Sequence, residues 1–201
     1  MNKEIAYYIY TDYYRLTGSE YNTRAKIRLL FAPGYGGVDG FRLMRLFRKA
    51  KGSKGIFGLV RKLRYYRFAK KVGAEIPLET TIGKGFIIWH TNGIVFNYNA
   101  KIGDNCQTLH QVTIGNSEKD PNKVANVGSC TSLGAGSKLI GPIVVGHHVS
   151  IGANAVVTHD LPDMCTVAGT PANVIRIRSE VIELHTDYLS FENWIRRKKR
   201  K

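Results

Sequence analysis

Two histidines, His90 and His110, are the residues of this sequence best placed to do chemistry. His90 stands two positions after Ile88, and His110 two positions after Thr108. An imidazole takes up and returns protons near neutral pH, so it is the usual general base when a hydroxyl group attacks an acyl centre. If residues 88 to 108 make one full turn of a repeating coil, the two rings occupy equivalent slots on neighbouring strands. Such strands lie about 4.8 Å apart, which places one imidazole almost directly over the other. A buried pair that close could not both carry a proton, so at least one is expected to be neutral and basic near pH 7. His147 and His148 fall at a corner of the same pattern, His159 follows its last repeat and His185 lies in the tail, so these four read as structural or solvent-facing.

The positioning element is an internal repeat. Val127, Leu133, Leu139, Val145, Ile151 and Val157 recur every six residues, with Gly at 128, 134, 146 and 152. Upstream, Ile76, Ile82, Ile88 and Ile94 keep the same period, and Ile102, Thr108 and Ile114 resume it after a two-residue insertion. A period of six suits neither an α-helix nor an alternating strand. It suits a triangular coil in which each side sends one aliphatic inward and each corner is a tight turn, often with Gly. Residues 76–174 then hold about five coils, each covering the previous one so that the aliphatics form a continuous core.

The flanks read differently, which divides the chain into residues 1–72, 73–175 and 176–201. The first region carries helical cues: LLFAPGYGGVDGFRLMRLFRKA has a Pro-Gly break followed by Phe41, Met44 and Phe47 at helical spacing. GIFGLVRKLRYYRFAKK is basic and amphipathic, either a solvated basic face over a core stripe or a membrane-surface helix. In the tail, Val181, Leu184, Tyr188, Phe191 and Ile195 predict a helix that caps the open end of the coil.

Thirty Lys and Arg against fifteen Asp and Glu give a net charge of +15, which calls for an anionic partner. The excess is concentrated between Arg42 and Lys71 and in the closing RRKKRK. No run of eighteen apolar residues is present, the opening lacks the apolar core of a signal peptide, and Cys106, Cys130 and Cys165 show no CxxC spacing. A cytoplasmic protein, bound at most to the inner face of an anionic membrane, is expected.

The stretches IGKGFIIWHTNGIVFNYNAKIGDN, LHQVTIGN, VGSCTSLGAGSKLIGPIVVGHHVSIGANAVV and CTVAGTPANVI resemble the serine-acetyltransferase branch of the hexapeptide-repeat acyltransferases. The resemblance implies a mainly β chain: a left-handed parallel β-helix of about five coils, with a helical N-terminal region and a short helical C-terminal tail. The hand comes from the resemblance alone, since parallel crossovers are otherwise right-handed. It also implies a homotrimer that takes acetyl-CoA as co-substrate, without a metal, in the groove between adjacent subunits. His90 falls where the family keeps its catalytic base, with His110 as its partner. Glu75, fifteen positions earlier, falls where an acidic residue orients the imidazole, and Glu79 is the alternative. Asn116, Ala135 and Ala153 fall along the pantetheine arm, and Lys138 is a candidate for the CoA phosphates.

Two departures bear on the acceptor. Where the serine enzyme carries Asp before its base, this chain has Trp89, and Lys123-Val124 stand near the expected Arg-His loop pair. Trp89, Asn92 and Lys123 are the candidate acceptor-binding residues. An indole beside the base suits stacking on a sugar face. The expected acceptor is therefore a saccharide hydroxyl, as in the short O-acetyltransferases of polysaccharide pathways, with serine as the alternative. A zinc-dependent carbonic anhydrase of the same fold lacks support because the usual histidine pair five apart is missing. A non-catalytic scaffold or nucleic-acid binder is disfavoured because the basic stretches hold few interleaved aromatics.

Overall fold

A computed structural model describes residues 2–118, 120, 122–181 and 185–199. Four helices come first: α1 (Lys3–Thr17), α2 (Thr23–Phe31), α3 (Val38–Ala50) and α4 (Gly55–Lys71). Short strands follow from Ala74 to Ile177, and α5 (Phe191–Lys199) ends the described chain.

The strands deal themselves in turn to three sheets of five, four and six strands, which is the topology of a three-sided coil. Every pairing between coils is parallel and in register, as in Ile82↔Ile102↔Val127↔Val145 on the second side. On the third side, Ile88, Thr108, Leu133, Ile151 and Val167 stack inward and are buried. Each such aliphatic contributes roughly 1.5–3 kcal/mol by leaving water, and the column is continuous through five coils.

The first side corrects the register read from the sequence. Phe96, not Ile94, pairs with Ile114, so the two extra residues lie within 90–93, directly after the first histidine. Ile94 and Phe96 are both buried, and their alternating positions satisfied either count. The corner between third and first sides is made by Gly73, Gly93, Gln111, Gly136 and Asn154, all with positive φ. Backbone bonds climb this corner from Gly93 N to Gly73 O, Gln111 N to Asn92 O, and Gly136 N to His110 O.

The helical layer grips the first coil. The Gly37 amide, at the start of α3, donates to the Trp89 carbonyl at 3.1 Å. Gly40 lets α3 lie against the same strand: a Cβ there would sit 1.8 Å from the Ile88 carbonyl oxygen. Deeper in, Arg48 of α3 meets Asp12 of α1 at 3.1 Å and donates to the Ile82 and Gly83 carbonyls, while Asp12 accepts from the Phe86 amide. Burial raises the Asp12 carboxyl, and the Arg48 charge pulls against it.

The tail departs from expectation. Asn173–Ile177 forms an antiparallel strand on Cys165–Ala168, and helix begins only at Phe191. Instead of capping the far end, α5 returns to α1, where Trp194 is buried against Tyr7 and Tyr10. Aromatic burial against α1 outweighs the helical spacing; Leu184 of that spacing, and Arg200 and Lys201 of the basic end, lie outside the described residues.

Candidate active site

His90 and His110 follow strands paired through Ile88↔Thr108, and both emerge at the corner between third and first sides. Their ring centroids are 5.8 Å apart with an interplanar angle of 80°. The rings therefore meet edge to face, not as the parallel stack that strand spacing alone suggests. The extra residues after His90 widen its turn, and Asn92 takes the backbone place beside Gln111 that His110 takes beside Gly136. In the single chain His90 is exposed and His110 half-buried.

Below the histidines the same slot holds Ala135 and then Ala153, as the pairings Thr108↔Leu133↔Ile151 require. Two imidazoles thus stand at the head of a strip of small side chains. Lys138 crosses this corner, but its ammonium donates to the Gln111 carbonyl at 2.9 Å and the Gly136 carbonyl at 2.8 Å. It clips the turn that carries His110, which leaves one donor for a phosphate.

Other expected partners are not gathered here. Glu75 is exposed on the first side, paired with Val95, and among the described residues no hydrogen bond or ion pair joins it to His90. Glu79 is likewise exposed. Asn116, bonded to the Asn97 amide at 3.3 Å, and Lys123, paired with Asp120 at 3.0 Å, lie in the loop between the first and second sides. That loop leaves a different corner from the histidines. Trp89 is half-buried, and its indole N–H donates to Gln107 Oε1 at 3.1 Å, while the Gln107 amide donates to Ser132. Gln107 was missed by the sequence reading, though strand alternation puts it on the outward face beside Trp89. Among the described residues no group of three or more His, Cys, Asp or Glu is arranged to hold a metal ion.

No family model matches the chain. A serine acetyltransferase of Helicobacter pylori is 36% identical over 149 residues, which cover 73% of this chain and 84% of that protein. The chain belongs to the serine acetyltransferase family. Other curated serine acetyltransferases match over 104 residues at 38% identity, 51% of this chain and 43–48% of their own length. Among solved structures, serine acetyltransferase from Neisseria gonorrhoeae superposes with a TM-score of 0.72 at 25% identity, covering 90% of this chain and 70% of that one. Soybean serine acetyltransferase complexed with serine gives 0.59 at 31% identity, covering 68% and 57%. The coil is thus the left-handed parallel β-helix of serine acetyltransferases.

Membership in this family overturns the saccharide acceptor and the placement among polysaccharide-pathway enzymes. The relatives are serine acetyltransferases. The indole that suggested a sugar platform is half-buried on the third side, with its N–H bonded to Gln107.

Proposed function

We propose that this chain is a serine O-acetyltransferase that moves acetyl from acetyl-CoA to the serine hydroxyl. The observation that carries the reading is the His90–His110 pair heading the Ala135–Ala153 strip, in a chain of the serine acetyltransferase family. His90 accepts the hydroxyl proton as the serine oxygen attacks the thioester carbonyl. The carbon–sulfur bond then breaks, and the departing CoA thiolate takes the proton back from the imidazolium. No covalent acyl-enzyme is needed, because the thiolate leaves readily. His110, edge-on to His90, holds the base or the acceptor in line. The exposure of His90, and the separation of the Lys123 loop from it within one chain, favour a trimer with its sites between subunits. The test is acetyl-CoA turnover with serine: His90→Ala should lose about 10²-fold or more. Undiminished turnover in His90→Ala moves the base to His110, and a wild-type chain that fails to acetylate serine overturns the acceptor.

In the cytoplasm this enzyme docks on the inner face of the membrane. Support comes from α4, where Ile56, Leu59 and Leu63 are 69%, 63% and 55% exposed and flanked by Lys62, Arg64 and Arg67. That pattern matches an in-plane helix on anionic lipid, where each basic residue adds about 1 kcal/mol. No helix among the described residues is long and apolar enough to cross a membrane. Sedimentation should favour vesicles containing phosphatidylglycerol over phosphatidylcholine alone; equal partitioning removes the docking.

A further inference from the structure

A cavity of about 440 Å³ opens in the helical layer, away from the histidine corner. Its wall is apolar and aromatic, built by Ile9 and Tyr10 of α1, Tyr21, and Trp194 of α5. Its rim is cationic, with Lys26 of α2 and Arg45 and Lys49 of α3. A smaller cavity of about 280 Å³ shares Arg45 and Lys49 and adds Arg61 and Arg64 of α4.

Among the described residues, Lys26, Arg45 and Lys49 make no ion pair. Glu20, the carboxylate that lines the larger cavity, is bound to Arg197. Arg45 makes no side-chain hydrogen bond or ion pair with the described residues, and its Nε is fully buried. A buried donor left without an acceptor is unfavourable, more so on a charged group. Burial, then Arg45, Lys26, Arg61 and Arg64, together hold the Lys49 ammonium below its ordinary range, and no carboxylate opposes them. A fold that tolerates this gathers its return when an anion arrives. The volume is that of a small-molecule site, apolar on one side with a few convergent charges on the other.

We propose that this cavity binds an organic phosphate, with the phosphate on Arg45, Lys49 and Lys26 and an apolar or aromatic moiety against Tyr10, Tyr21 and Trp194. Calorimetric titration of the full chain tests it with 1-naphthyl phosphate, inorganic phosphate and neutral 1-naphthol. Naphthyl phosphate should bind about 10-fold or more tighter than inorganic phosphate, because it alone uses both wall and rim, and naphthol should not bind. Arg45→Gln should weaken naphthyl phosphate by about 10-fold or more, the worth of a charged hydrogen bond. Lys26→Gln, on the exposed rim, should do the same and keeps the test valid if the Arg45 variant misfolds. Dihexanoyl phosphatidic acid below its micelle concentration separates the sources: binding of that lipid with naphthyl phosphate silent makes the ligand a lipid phosphate. Binding unchanged in both variants, or none by any probe, overturns the site. Serine turnover is read separately, so either result stands without the other.

Discussion

At the residue scale, His90 and His110 meet edge to face with ring centroids 5.8 Å apart. Six-residue spacing puts His90 and His110 in equivalent slots, but an edge-to-face meeting depends on the widened turn after His90, and Ile94 and Phe96 both fit the core. Trp89 misled because an indole beside a base does not by itself name an acceptor, and the relatives, not the ring, overturn the saccharide reading. A second residue carries a measurable consequence. Cys106 is fully buried, its Sγ donating to the Gly128 carbonyl at 3.2 Å, and burial pushes its thiol up to about 12. An unfolded thiol ionises at about 8.5. Between these values the unfolded chain sheds a proton that the folded chain keeps, so stability falls as pH rises. From pH 8 to pH 10 the wild type should lose up to about 2 kcal/mol more than Cys106→Ala in urea unfolding. Equal losses would show that the thiol is not responsible.

At the element scale, helix α3 bears directly on the strand that leads into the histidine corner. Its first turn bonds the Trp89 carbonyl, and Gly40 admits it to contact with Ile88, two residues before His90. Gly40→Ala must push helix and strand apart, since the obstacle is backbone. The expected cost is about 1–3 kcal/mol of stability, as for other overpacked contacts, together with reduced turnover. Wild-type thermal stability in this variant would mean that α3 does not bear on the strand. The sequence announced α3 through Phe41, Met44 and Phe47, all buried as expected. It did not announce the glycine's role, because close approach to the carbonyl of Ile88, far along the chain, leaves no local signature. The tail failed for a similar reason: its apolar spacing served an aromatic contact with α1, not a long helix.

At the scale of the whole molecule, the repeat was the most legible feature, since each coil restates the same inward positions. Assembly was less so, because contacts with another copy leave no period in one chain. One architectural fact nonetheless constrains it. The loop bearing Asn116 and Lys123 leaves one corner of the coil, and the histidines crown another. If both serve a single reaction centre, each centre is a joint product of two chains, and genetic lesions in the two places become complementary. If the proposed trimer forms, co-expression of His90→Ala chains with chains cut short in that loop should yield mixed assemblies in which some interfaces pair an intact histidine with an intact loop. Recovered turnover, from two populations each inactive alone, would read out shared ownership of the site; persistent silence would confine it to a single chain.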